Sequence, residues 1–290
     1  MRFSLAIAAL LALPGGIVAA QDEAPQEAGA EETVTTAEEA VADRLVESHA
    51  KAAKAGDGGE VIKVLGEMSA FDNREFIKPA TEALKWRASK ADKKWAEAEA
   101  EELGLEKKSE RHGILVERVS AIQAAAAAVL ANHAGDKKAA SALAKAFKDK
   151  AVRKERPKAL AAIILALGEI GLRKVEPDVF SEFKSAKDPE VARACVRYFG
   201  TIRTKDYSIV RRLCNELSAP EPANVDSATN PPAAYWEQRW KIWNGIRRDI
   251  SWSLKQITGQ VFKPSEGEHP SDERKALAYV KQHRKELGLK

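Results

Sequence analysis

Residues 188–202 read DPEVARACVRYFGTI, and residues 156–170 read RPKALAAIILALGEI. Pro157 and Pro189 are 32 residues apart, and Gly168 and Gly200 are 32 residues apart as well. Proline suits the first turn of a helix, and the alanine-rich runs that follow favour continued helix. Self-similarity at a fixed period of this size predicts a stack of helical repeat units.

Further copies of this unit extend the pattern in both directions. The Leu-Gly signature recurs at Gly66, which is 102 residues before Gly168 and therefore close to three periods away. A degenerate copy is expected between them, around residues 122–133. Amphipathic stretches at 175–184 and 207–217 predict a second helix in each of the last two units. The pattern predicts an all-α chain of antiparallel helix pairs.

The last copy resembles the start of a HEAT repeat. The resemblance rests on this pattern: Asp188-Pro189-x-Val191-x-Arg193-Ala194, then Phe199-Gly200-x-Ile202. The arginine that usually follows the valine directly is displaced here to Arg193. The resemblance covers residues 58–218, and it implies a protein-binding surface and no catalytic activity. The expected fold is a short α-solenoid of HEAT-like helix pairs over 36–218, with a C-terminal capping helical unit over 235–290.

The N-terminus has the pattern of a signal peptide. Arg2 gives a positive start, residues 3–13 are apolar except for Ser4, and Pro14 follows before small residues that end at Ala20. The apolar run is shorter than the roughly 20 residues that span a membrane. We therefore predict a leader over residues 1–20, cleaved near Ala20, and a periplasmic or secreted protein, with an uncleaved anchor as the alternative. No other segment approaches spanning length, so no integral membrane association is expected.

The next segment is acidic, whereas the rest of the chain is basic. Residues 21–35 hold five acidic residues and no basic one, which predicts a disordered acidic linker. The whole chain has a formal charge of +4, and without Arg2 and the five linker acids residues 36–290 carry +8. A basic folded region suits an anionic partner. A solvated lysine-rich surface is the alternative.

The 290-residue chain has enough apolar sequence for a core but lacks recognisable catalytic motifs. None of the five histidines stands at a metal-ligand spacing from another histidine or from a cysteine. The sequence contains no phosphate-binding glycine loop, dinucleotide-binding glycine turn or serine elbow. We expect no enzyme, no cofactor and no metal, with an unrecognised buried acid pair as the remaining route to catalysis.

Basic residues cluster where one helix pair ends and the next begins. With only Asp149 and Glu155 interleaved, the cluster comprises Lys145, Lys148, Lys150, Arg153, Lys154, Arg156 and Lys158. Cations at this place complement the C-terminal end of a helix dipole. The functional alternative is a ridge that binds an acidic protein, polysaccharide or nucleic acid. Phe147 is the sole aromatic residue of this stretch, which argues against stacking of single-stranded bases.

A proline-rich loop over 219–234 separates the repeats from a C-terminal unit over 235–290. One predicted helical face there carries residues at steps of three and four: Trp236, Trp240, Trp243, Arg247, Ile250, Leu254 and Ile257. The face is interpreted as a cap that buries the end of the repeats, with Trp243 the most buried. A carbohydrate or peptide platform is the alternative. The tail at 254–262 is similar to that of exported bacterial HEAT-repeat proteins.

The two cysteines lie on the two predicted helices of the last repeat. Cys195 and Cys214 are nearly equidistant from the turn near Thr204, which places them side by side in an antiparallel pair. Export would permit a disulfide between them. Two buried thiols are the alternative, because a free cysteine packs as a small hydrophobic residue.

The function expected from these features is that of a scaffold. We predict a non-catalytic protein that binds another protein on its helical-repeat surface in the cell envelope or outside the cell. The alternative partner is an anionic polymer held by the basic cluster, and an enzyme comes third. Apart from the repeats, the highly charged segment 86–110 predicts an exposed helix that runs to Gly104.

Overall fold

The computed structural model describes residues 28–221, 230–267 and 269–290, with residues 28–37 as backbone only. The predicted leader and residues 21–27 lie outside the described residues. The described part of the chain is all-helical, with 73% of its residues in helix and no strand. Thirteen described α-helices follow one another: α1 Ala28–Ala55, α2 Gly58–Met68, α3 Ile77–Ala83, α4 Lys90–Glu102, α5 Lys108–Ala131, α6 Lys137–Phe147, α7 Lys150–Glu155, α8 Pro157–Glu169, α9 Glu176–Ser185, α10 Pro189–Thr201, α11 Tyr207–Asn215, α12 Ala233–Thr258 and α13 Glu273–Gln282.

The chain divides into a short N-terminal unit, Met1–Glu39, and a main unit, Ala40–Lys290. In the first unit, α1 begins at Ala28, inside the segment 21–35 that was expected to be disordered. Alanine and glutamate are strong helix formers, and acidic residues are favourable near a helix N-terminus. These two effects account for helix where composition alone predicted a linker.

Several helices of the main unit start where their sequences provide caps. Pro157 opens α8 and Pro189 opens α10, as predicted. Five helices begin after an aspartate whose carboxylate accepts hydrogen bonds from two backbone N–H groups of the first turn. These aspartates are Asp57, Asp136, Asp149, Asp188 and Asp206. The predicted second helices correspond to α9 and α11, within one or two residues at each end.

One row of helices packs in chain order: α2 on α5, α5 on α8, α8 on α10 and α10 on α12. Small residues permit the closest approach. An added Cβ on Gly200 of α10 would lie 2.9 Å from Cα of Ser253 in α12. Asp249 of α12 adds a polar link to the same pair, since it lies 3.4 Å from Nε of Arg193 and 2.5 Å from Nε of Arg197.

The remaining helices flank this row. Helix α3 contacts α5 and α6, α6 contacts α5 and α8, α9 contacts α10, and α11 contacts α12 and α13. One continuous apolar core runs through the main unit from Ala42 to Leu289. The charged helix α4 buries only Asp92, Ala96 and Ala100, so it is largely exposed, as its sequence predicted.

Helix α5 corrects the expectation that no segment after the leader approaches membrane-spanning length. Its 24 residues have a mean hydropathy of 1.6 in the most apolar window, which is long and apolar enough to cross a membrane. Core helices of soluble proteins meet the same criteria. In this structure α5 contacts α2, α3, α4, α6 and α8, and it buries the polar side chains of Ser120 and Gln123.

Candidate basic cleft

A cleft of about 1,250 Å³ opens between α3 and α6, and we call it the α3–α6 cleft. Helix α3 and the loop that follows it form one wall, and α6 with the start of α7 forms the other. Gln123 from α5 and Arg156, which joins α7 to α8, also line the space. The volume exceeds the roughly 300–1,000 Å³ typical of small-molecule pockets, so a short chain segment fits as well.

The lining is strongly positive. Three acidic residues line the cleft: Glu82, Asp136 and Asp149. Eight basic residues line it: Arg74, Lys78, Lys85, Arg87, Lys137, Lys138, Lys145 and Arg156. Among the described residues, none of these eight lies within 4.0 Å of a carboxylate oxygen. Unpaired cations lining a concave surface attract and concentrate anions.

Two of the three acids are already engaged by the helices they cap. The carboxylate of Asp136 accepts hydrogen bonds from the backbone N–H groups of Ala139 and Lys138, which lower its pKa. Asp149 accepts the corresponding bonds from Ala151 and Val152. These carboxylates are held by backbone donors, so they do not pair with the lysines of the cleft.

Arg156 is the half-buried cation of the cleft, whereas the other seven are exposed. Its Nη1 donates to Oε1 of Gln123 at 3.3 Å, and Nε2 of Gln123 donates to the carbonyl of Leu84 at 2.9 Å. Gln123 is only 2% exposed, so this chain of bonds fixes the guanidinium from behind. The Nε of Arg156 is buried and has no partner among the described residues, although a guanidinium carries five donors.

Trp86 forms an oriented aromatic part of the cleft wall. Its indole N–H donates to Oδ2 of Asp92 at 3.0 Å, and Asp92 is fully buried. Burial by itself would raise the pKa of Asp92. Hydrogen bonds from the Ser89 backbone, Trp86 and Arg118 outweigh it and lower the pKa, so the carboxylate stays charged. A charged, fully bonded anchor holds the indole ring in place beside the cleft.

The predicted basic cluster does not form one continuous ridge. Lys145 and Arg156 line the α3–α6 cleft. Three others face carboxylates of neighbouring helices, which sequence spacing did not indicate: Lys148 with Asp178, Arg153 with Glu182 and Lys158 with Glu117. Lys150 and Lys154 are exposed and have no ion-pair partner among the described residues.

The other six cations of the cleft were not predicted as site residues from the sequence. They come from the region before α3, from α3, from the following loop and from the start of α6. The sequence signal was the pair Lys137-Lys138 directly after a helix-capping aspartate, but only the fold shows that it faces Lys78 and Lys85 across a cleft. No group of three or more His, Cys, Asp or Glu placed to hold a metal ion occurs in the described part of the chain.

The tryptophan face of α12 is only partly as predicted. Trp243 is 3% exposed and its indole N–H donates to the carbonyl of Glu216 at 2.9 Å, so it is the most buried of the three, as expected. Trp240 is 44% exposed and Trp236 is half-buried, which corrects the interpretation that all three are covered. The buried face is rotated toward Ile242 and Ile246, because α10 and α11 contact α12 from that side. Trp240 borders a second, smaller cleft of about 810 Å³.

Both cysteines are free thiols in this structure. Cys195 and Cys214 are fully buried in the apolar core. Burial raises the pKa of Cys195 well above its ordinary value and raises that of Cys214 to about 12. The predicted alternative of two buried thiols is the arrangement observed, and the disulfide is not formed here.

The α3–α6 cleft thus combines a half-buried, unpaired guanidinium, seven exposed cations and an oriented indole ring. Comparison with known proteins identifies no family for this chain. No protein-family model matches the chain, and no curated protein and no solved structure matches it.

Proposed function

We propose that this chain is a non-catalytic binding protein that holds another protein on a solenoid of HEAT-like helix pairs, with the α3–α6 cleft as its contact site. The observation that carries the proposal is the set of eight cleft cations without a carboxylate partner among the described residues. Some other exposed cations, such as Lys148, are paired within the chain, and others, such as Lys150, are not, but the cleft gathers eight unpaired cations on one concave surface. The cleft keeps its charge for an external ligand.

The solenoid part of the proposal is supported by the order of packing. Helices α5, α8, α10 and α12 each contact the next one in the row, as stacked repeats do. The period of 32 residues between Pro157 and Pro189 coincides with the starts of α8 and α10. Truncation before Ser218 tests it, because repeats that contact mainly their neighbours retain helix when the end is removed. Complete loss of the helical circular dichroism would contradict the solenoid.

Site-specific photo-crosslinking tests the contact site. Ser141 is exposed on α6 and lines the α3–α6 cleft, whereas Ser181 is exposed on α9 and lies outside it. A photoreactive amino acid at position 141 should crosslink a discrete protein in the native host, and the same group at position 181 should not. Equal crosslinking at both positions, or none at 141, would contradict a cleft-bound protein partner.

Binding of an anionic polymer is the second candidate. Lys150 and Lys154, exposed beside the cleft and without ion-pair partners among the described residues, favour it. The pairing of Lys148, Arg153 and Lys158 opposes it, because it interrupts the row of charges. Heparin and duplex DNA are the probes. Polymer binding through many cations weakens steeply between low and moderate salt, and it should fall in Lys150→Gln and Lys154→Gln variants.

Export to the periplasm or the medium belongs to the same proposal. It is supported by the charged, apolar and small-residue regions of residues 1–20. The intact mass of the native protein should correspond to a chain that starts near Gln21. A full-length cytoplasmic product would contradict export without affecting the cleft.

A further inference from the structure

We propose that the α3–α6 cleft takes an acidic peptide segment, in which one aspartate or glutamate carboxylate pairs with Arg156 and a neighbouring apolar side chain packs on Trp86. This proposal rests on the function proposed above and names the chemistry of the partner. It follows from how the cleft divides into a buried cationic position, an apolar wall and a charged rim.

The buried position is suited to one carboxylate. Arg156 donates one side-chain hydrogen bond, to Gln123, and its Nε is buried without a partner among the described residues, so the remaining N–H groups of Nη1 and Nη2 are the donors left for a ligand. A guanidinium presents parallel N–H groups that match the two oxygens of a carboxylate. Since the hydrogen bond that Arg156 donates to Oε1 of Gln123 holds the guanidinium in place, little side-chain freedom remains to be lost when the carboxylate binds.

The apolar wall indicates that the occupant is more than a small anion. Trp86 is half-buried, and its ring is oriented by Asp92. Ile77 and Leu84 line the same cleft but are only 6% and 4% exposed, so Trp86 offers most of the accessible apolar surface of this wall. A free inorganic anion gains nothing from such a wall, whereas a peptide buries aliphatic or aromatic surface there.

The rim supplies long-range attraction to further acidic residues of the segment. Lys78, Lys85 and Lys138 are exposed and carry no ion pair among the described residues. Exposed charges of this kind chiefly raise the rate of association and are screened by salt, whereas a half-buried pair governs dissociation. The segment is therefore acidic along its length but is recognised at one carboxylate.

A double-mutant cycle tests the pairing. The probe is a set of fluorescein-labelled peptides rich in glutamate and leucine, in which each glutamate is replaced in turn by glutamine. At one peptide position, replacing glutamate by glutamine should weaken binding to the native protein about tenfold. The same replacement should weaken binding to the Arg156→Gln variant by less than about twofold, because the guanidinium that pairs with this glutamate is absent there. At every other position, the two proteins should lose affinity equally.

Lys255→Gln is the matched control, since it removes one positive charge from an exposed side chain of α12, outside the cleft, and should reproduce the native pattern. Arg156→Lys keeps the charge but not the planar fork, so it should lose the selective position as well. If circular dichroism shows that Arg156→Gln does not fold, Arg156→Lys replaces it in the double-mutant cycle. Lys85→Gln should weaken all peptides uniformly and lower the salt dependence.

The outcomes separate this inference from the proposed function. If Ser141 crosslinks a protein but no peptide position is selectively lost in the Arg156 variants, the carboxylate anchor is wrong while the cleft stands. Failure of every peptide to bind would also overturn the anchor. If neither crosslinking nor peptide binding occurs, the proposed function fails together with it. Equal loss of peptide binding in Lys255→Gln and Arg156→Gln would show nonspecific attraction and overturn the inference.

Discussion

Gly200→Ala should destabilise the protein although alanine is the better helix former. Gly200 lies in the last turn of α10 and faces α12. A Cβ at this position would lie 2.6 Å from Cζ3 of Trp252, 2.7 Å from Oγ of Ser253 and 2.9 Å from Cα of Ser253. The indole and hydroxyl are able to rotate away, but Cα is backbone, so the two helices must move apart.

The magnitude follows from opposing contributions. Alanine gains at most about 1 kcal/mol over glycine in a helix. Forcing an extra carbon into a packed interface costs about 1–3 kcal/mol. Moving Ser253 also strains the buried bond from its Oγ to the Val196 carbonyl, now 2.8 Å long, which contributes about another 1 kcal/mol. The net expectation is a loss of about 1–3 kcal/mol in the free energy of unfolding.

Gly66→Ala is the matched control, because the two glycines occupy the same place in the repeat signature. Gly66 is exposed, and an added Cβ there has nothing within 4 Å. This variant should gain about 0.5–1 kcal/mol. Urea unfolding followed by far-ultraviolet circular dichroism measures both variants. If Gly200→Ala is stabilised as much as Gly66→Ala, the inferred close approach of α10 and α12 is wrong.

Three further predictions concern buried side chains. Trp243→Ala should lower the free energy of unfolding by about 3–5 kcal/mol, whereas Trp240→Ala, at an exposed ring, should change it by less than about 0.5 kcal/mol in thermal or urea unfolding. Cys195 and Cys214 should react slowly with a thiol reagent in the native protein, since burial raises the pKa of both thiols. After denaturation without reductant, two thiols should react. If no thiol reacts, the two cysteines form a disulfide. Burial lowers the pKa of the His49 imidazole below its ordinary value of 6.5. Just below pH 6.5 the imidazole is therefore protonated in the unfolded chain but not in the folded one, so the free energy of unfolding should fall as the pH falls below 6.5. The pH dependence of the urea midpoint should flatten in His49→Gln, and an unchanged dependence would contradict this origin.

Local features of the fold were predictable from sequence because they depend on neighbours along the chain. Proline in the first turn and an aspartate before it specify the start of α10, and the apolar stripe of α11 specifies its buried side. The burial of Trp243 and the exposure of Trp240 depend on which helices contact α12. The two residues are three positions apart, so periodicity alone placed both on one face.

The cleft was not predictable, because its parts are distant in sequence and individually ordinary. Arg74 and Arg156 are 82 positions apart, and each lies in a charged stretch that reads as solvated surface. The buried Asp92 that orients Trp86 stands among lysines on a largely exposed helix. The spacing Ser89-x-x-Asp92 is a capping-box pattern that marks a helix start, but it does not indicate that Asp92 is buried or bonded to Trp86.

The glycines of the repeat signature show why equal sequence does not mean equal structural role. Gly66, Gly168 and Gly200 occupy equivalent positions, yet an added Cβ would meet nothing within 4 Å at Gly66 and the Tyr198 backbone at 3.4 Å at Gly168. Only at Gly200 does it come closer than 3.0 Å to a backbone atom of the next helix. The same residue is therefore dispensable at one end of the row and required where α12 packs. The separation of neighbouring helices is set by the side chains of both, so a repeat motif predicts the pairing of helices but not their spacing.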